Sequence, residues 1–226
     1  MLDKDGSIVF AERFYKSDIG RYKHFFDSHD VRAWMGVGTV PEGIELPAEK
    51  QVTTTGLISA GIEIDYENRE SIGVDRVVCA YAGFLIFKKP VLALTIGTTI
   101  TATYITANGV IKGGSISPGL TARFNTLAKG TAQLPKLDAN LSAWNRSWLG
   151  RSTNESIRNG VINGIIAELE SMLEWWKNHD PEIIVFAGGG DHQIFQFIHS
   201  ELPLHVEPFI ELYALATLIN YGIVGK

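Results

Sequence analysis

Apolar residues alternate with polar ones in short runs through the first half of the chain and recur every three to four positions in parts of the second, so strands and helices are both expected. Ser7–Phe14 reads as a strand after the Asp3-Lys4-Asp5-Gly6 turn. Val31–Val37 and Val52–Ile58 are further strand candidates, separated by a loop holding Pro41, Gly43 and Pro47. Val77, Tyr81 and Phe84 stand at helical spacing between about Arg76 and Phe87, and Pro90 ends that segment. Val91–Ile96, Thr99–Thr106 and Val110–Ile116 then make an antiparallel meander, turning at Gly97 and at Ala107-Asn108-Gly109.

A helix of about ten residues is expected after Pro118-Gly119, and a polar stretch follows to about Gly150. The longest helix begins at the cap candidate Ser152, with Glu155 three residues on, and carries Ile157, Val161, Ile165, Leu169, Met172 and Trp176 on one face. Pro181 closes it. Ile183–Phe186 is a short buried strand, Gly188-Gly189-Gly190 opens another helix, and a last helix covers Ile210–Tyr221. This order predicts an α/β protein with mixed sheets and two lobes.

Composition narrows the function classes. With 226 residues and 45% hydrophobic content the chain can bury a real core without staples. Its 20 Lys and Arg are outnumbered by 25 Asp and Glu, giving a net charge of −5 without a basic face, so nucleic acid is not an expected partner. The single cysteine, Cys79, cannot form an internal disulfide, and the six histidines offer no metal-ligand spacing. No basic segment leads an apolar run at the N-terminus, and no apolar run approaches the ~18 residues of a membrane span. A cytoplasmic protein with no membrane partner is expected.

Three constellations could carry chemistry. In the threonine- and glycine-rich run from Thr95 to Gly119, Gly97 lets backbone N–H groups approach an anion while Thr98, Thr99 and Thr101 offer hydroxyls; threonine is also simply a good strand former. In Y-E-N-R-E-S-I-G-V-D-R, Tyr66 to Arg76, a carboxylate at Asp75 could take a proton from a hydroxyl while Arg76 holds an anion, or Asp75 could cap the helix. In I-I-V-F-A-G-G-G-D a buried strand runs into Gly188, Gly189 and Gly190, which suits a nucleotide lying against backbone or a tight strand-to-helix turn. No Walker loop, dinucleotide fingerprint or G-x-S-x-G elbow is present.

Together, Y-E-N…G-V-D-R, I-G-T-T…N-G…G-G-S-I-S-P-G-L-T-A-R-F-N-T-L-A-K-G-T-A-Q-L-P, S-T-N-E-S-I-R-N-G-V-I-N-G-I and F-A-G-G-G-D resemble the type III pantothenate kinases over roughly residues 60–226. That resemblance implies a two-lobed actin-like ATPase fold, ribonuclease H-like in its sheets, with residues 1–75 as an incomplete first lobe and 76–226 as the second. It implies ATP-dependent phosphorylation of pantothenate, the first step of coenzyme A synthesis, by a homodimer using magnesium and a monovalent cation, potassium or ammonium. By position, Asp75 matches the family's proton acceptor. Tyr66, Gly73, Val74, Arg76 and Thr153 match its substrate contacts, Thr153 from across the dimer, and Gly97, Thr98, Gly188 and Gly189 fall on the nucleotide side.

Two departures bear on activity. The resemblance places the family's D-x-G-N-T phosphate hairpin ahead of this chain's first residue, with roughly twenty residues of the family pattern expected before it, judged from where the Asp3–Gly6 turn falls. Thr95 stands where the family has the aspartate that holds the monovalent cation, and Thr103 replaces a later acid. A pantothenate-binding or regulatory relative without turnover is therefore the alternative reading, and a sugar or acetate kinase of the same superfamily a weaker third.

Overall fold

The structure, a computed structural model, describes residues 31–36 and 46–225. The expected strand Ser7–Phe14 lies outside them. Among the described residues five strands make one mixed sheet, ordered β3-β2-β1-β4-β5: β1 Val91–Ile96, β2 Thr99–Ile105, β3 Ile111–Pro118, β4 Ile184–Gly188 and β5 Leu204–Glu207. β1, β2 and β3 are the expected antiparallel meander, and β4 and β5 add parallel strands on the other side of β1.

Helices cover both faces, as a sheet with parallel strands requires. On one face lie α2 (Val74–Phe87) and α5 (Ile210–Asn220); on the other lie α3 (Leu120–Gly130) and α4 (Thr153–His179), while the short α1 (Thr54–Ser59) precedes them in the chain. β1 feeds both cores by alternation, Val91 and Ala93 toward α2 and α5, Leu92, Leu94 and Ile96 toward α4. Ile157, Val161, Ile165 and Leu169 are buried along α4, and Met172 and Trp176 pack beside them, as their spacing predicts. The α4 cap is also as expected: the Ser152 hydroxyl accepts from Glu155 N at 3.2 Å, a contact worth about 1 kcal/mol in such positions.

Several expectations need correction. Val52–Ile58 is not a strand. Thr53 accepts from Gly56 N at 3.0 Å as an N-cap, and α1 follows, burying Thr54 and Leu57 at helical rather than alternate spacing. The described part of Val31–Val37 contributes only an isolated parallel bridge, Trp34 to Gln51. The residues after Gly190 form a short 3-10 helix, His192–Phe197, and the chain then returns as β5, which the apolar pattern does not announce. α2 begins at Val74, two residues earlier than expected. No helix among the described residues is long and apolar enough to cross a membrane.

Candidate active site

The N-terminal end of α2 stands over the sheet face that carries Thr95, Thr101 and Thr103. Those three threonines share a face because Thr95 pairs with Thr101 and Ala93 with Thr103 across β1 and β2. Arg76, only 6% exposed, enters from α2: its Nε donates to Thr103 Oγ1 at 3.0 Å and its Nη2 to the Ala102 carbonyl at 3.3 Å. Both acceptors are neutral, so a buried guanidinium sits in the site without a carboxylate among its hydrogen-bond partners in the described residues. Thr95 and Thr101 bond each other at 2.7 Å through their hydroxyls.

Asp75 is in the first turn of α2, where the helix dipole favours a carboxylate. It is not the cap. The N-cap is Gly73 and no side chain closes it. A Cβ at Gly73 would stand 2.6 Å from Asp75 Oδ1, so the bare glycine makes room for the carboxylate in its present rotamer. No hydrogen bond to the Asp75 carboxylate forms among the described residues. The Asp75 and Glu211 carboxylates both lie close enough to Cys79 to add to the effect of burial, which comes first in pushing that thiol's pKa well up.

The two glycine segments meet at one edge of the sheet. Gly97 turns β1 into β2, and its backbone is so close to Gly119 that a Cβ there would overlap the Gly97 carbonyl; Gly119 N donates to Thr98 O at 3.0 Å. At the end of β4, Gly188 pairs with Thr95, and Gly189, at φ +104°, lies against Ile96, whose carbonyl accepts from Asp191 N at 3.0 Å. Thr98 is exposed beside this edge. The sequence signals for these contacts were the glycines themselves; Gly119's part in the turn was not foreseen.

Of the remaining candidates, Val74 packs against the core under α2, and the Tyr66 ring lies over Gly113, next along β3 to the Gly114 that pairs with Thr103. Thr153 is not brought to this face. It lines a 790 Å3 groove between α3 and α4, with Pro118, Arg123, Leu127, Leu134 and Ile157. Beside that groove Glu168 on α4 binds both Ser117 and Arg123, clamping the end of β3 to the helices. Neither Glu168 nor Arg123 was singled out from sequence as a tie of this kind.

The donor set does not fit a monovalent cation at Thr95. Its side chain is uncharged and its hydroxyl is engaged by Thr101, and no group of three or more His, Cys, Asp or Glu that could hold a metal occurs among the described residues. The glycine edge does fit an anion, offering close backbone approach with hydroxyls alongside.

The family model described as Type III pantothenate kinase matches residues 45–175. A protein named type III pantothenate kinase from Cytophaga hutchinsonii is 35% identical over 72% of this chain and 68% of its own length. Another of that name from Phocaeicola vulgatus is 32% identical over 79% and 69%, and one from Synechococcus elongatus 35% over 65% and 59%. The chain thus spans between half and about two thirds of several relatives it matches. A solved Campylobacter jejuni structure assigned to the Baf family covers 77% of this chain and 74% of its own at a TM-score of 0.52 and 16% identity, a likeness of fold alone. With its family model over more than half of the chain and a relative 35% identical over 72% of it, this chain belongs to the type III pantothenate kinase family.

Proposed function

We propose that the chain catalyses transfer of the γ-phosphoryl group of ATP to the primary hydroxyl of pantothenate, giving phosphopantothenate and ADP. The observation that carries this reading is the unencumbered Asp75 carboxylate at the start of α2, beside the buried Arg76 guanidinium and on the lobe whose glycine turns meet at one edge. Asp75 accepts the hydroxyl proton as the oxygen bonds to the γ-phosphorus and the bond to the bridging oxygen of ADP breaks. Arg76, already held by Thr103 and the Ala102 carbonyl, orients the substrate carboxylate with its remaining donors. Gly97, Thr98, Gly188 and Gly189 supply the backbone and hydroxyl surface against which the nucleotide lies, and Tyr66, Gly73 and Val74 shape the pantothenate side. Magnesium bound to the nucleotide would supply neutralisation of charge on the phosphates. Thr153, far from Asp75 in one chain's topology, serves the site of a second copy in a homodimer. Residues 1–75 and 76–226 are proposed as the two lobes.

Purified protein with magnesium, ATP and pantothenate is expected to release ADP. Asp75→Asn should lower the rate by about 100-fold or more. Equal turnover by both proteins would sink the assignment. Thr95 favours the second reading, a pantothenate-binding relative without turnover, because an uncharged hydroxyl, bonded to Thr101, stands where the resemblance calls for a carboxylate. Calorimetry separates the two: pantothenate binding without nucleotide binding supports the second.

A further inference from the structure

Three buried side-chain nitrogens among the described residues have no hydrogen-bond partner: Trp144 Nε1, Arg158 Nε and Asn159 Nδ2. All three are donors. A buried donor left unpaired is costly, so such a group calls for an acceptor that completes it. Arg158 and Asn159 are neighbours on the second turn of α4, and Asn159 is 1% exposed. The segment bearing Trp144 is tied to the same helix, since Asn163 Nδ2 donates to the Ser147 carbonyl at 2.9 Å one turn beyond Asn159. Trp144 itself packs edge-on to Phe197, at the end of the 3-10 helix that follows Gly188–Gly190.

The height of these residues over the sheet follows from side-chain contacts along α4. Trp176 meets Tyr104 at 4.7 Å between ring centres, Met172 accepts from Ser115 Oγ at 3.7 Å, and Glu168 accepts from Ser117. Each step of four residues back along the helix therefore rises two residues along β3. The next step brings Gly164 beside Arg123, whose Nε donates to the Pro118 carbonyl at 2.8 Å, level with the Gly97–Thr98 turn. Arg158 is six residues further back, about 9 Å along the axis, so it stands beyond the edge of the sheet. Its position on the helix is seven residues from Ile165 and eleven from Leu169, both buried toward the sheet, which puts it on the same side. Asn159 follows at about 100°, on the side where Glu170 accepts from His199 N, in the segment between the 3-10 helix and β5.

Helix spacing thus carries Arg158 and Asn159 toward the end of the sheet where β1 and β4 finish at the two glycine turns, the end at which open α/β sheets take ligands. We propose that Arg158, with Asn159 beside it, binds phosphate oxygens of the nucleotide, from the α4 face and opposite the Asp75 side. This rests on the kinase reading for the identity of the ligand.

The test uses the full chain and calorimetry with magnesium ATP and, separately, inorganic tripolyphosphate. Arg158→Gln should weaken both by tenfold or more, Arg158→Lys should recover part of the loss by keeping the charge, and pantothenate affinity should stay within twofold in each. Four results would overturn the proposal: unchanged affinity for both phosphates in Arg158→Gln, a loss confined to ATP, an equal loss of pantothenate binding, or no binding of either phosphate by the unaltered protein. Failure of the kinase reading would look different, with phosphate binding intact and Arg158-dependent but no phosphoryl transfer to pantothenate.

Discussion

At Thr95 a single hydroxyl decides what the site can hold. An uncharged oxygen already bonded to Thr101 at 2.7 Å offers a bare cation little, whereas a carboxylate at the same point would offer full charge. Turnover is therefore expected to be the same within twofold in potassium, ammonium and sodium salts of equal ionic strength. Thr95→Asp should create a potassium preference; a marked potassium requirement in the unaltered protein would contradict this. That Asp75 and Arg76 stand together at the start of a helix, and Gly97 and Gly189 at turns after strands, was legible from the local sequence. The hydrogen bonds from Arg76 to Thr103 and Ala102, 27 and 26 residues away, were not, since they depend on how α2 sits over β2.

At the scale of elements, α4 anchors one face of the sheet from edge to edge, and its far end is fixed by Tyr104, whose hydroxyl donates to Asp180 Oδ2 at 2.7 Å. Burial first, then the hydrogen bond to Asp180, pushes the Tyr104 phenol from about 10 up to about 12. The fold thus favours the neutral phenol. Its contribution is complete below about pH 10, the value in the unfolded chain, and falls away as pH rises toward 12. Tyr104→Phe should lower unfolding stability in urea by about 1 kcal/mol at pH 8 and flatten the alkaline decline. An unchanged decline between pH 10 and pH 12 would assign it elsewhere. The helical period of α4 and the meander were readable in the chain. The helix α1 was not, because a threonine run at 53–55 suits a strand until the Thr53 side chain turns back to cap Gly56.

At the scale of the whole molecule, the candidate groups divide between the two faces of the sheet. Asp75 and Arg76 stand on the α2 side, while Thr153 lines the groove between α3 and α4. The proposed homodimer reconciles them by letting one copy's Thr153 reach the other's site, and it makes a distinctive prediction. Asp75→Asn and Thr153→Ala, each impaired alone, should regain activity when unfolded and refolded together, because mixed dimers hold one site with both native residues. Sedimentation should give twice the 24.9 kDa chain mass. No recovery on mixing, with mixed dimers present, would place Thr153 outside the reaction.

Local order in the amino acids was enough to set the meander, the long capped helix, the glycine turns and the membership of Asp75 and Arg76 in one motif, because hydrogen bonding within turns and burial of one face act over a few residues. The parallel pairing of β5 with β4, the meeting of Gly97, Gly119 and Gly189, the bond from Arg76 to Thr103 and the separation of Thr153 from Asp75 were settled only by the tertiary structure. Leu204–Glu207 carries too short a pattern to name its neighbour. Such contacts join segments far apart in the chain, and which of them form depends on the faces left to bury once every local element has taken shape.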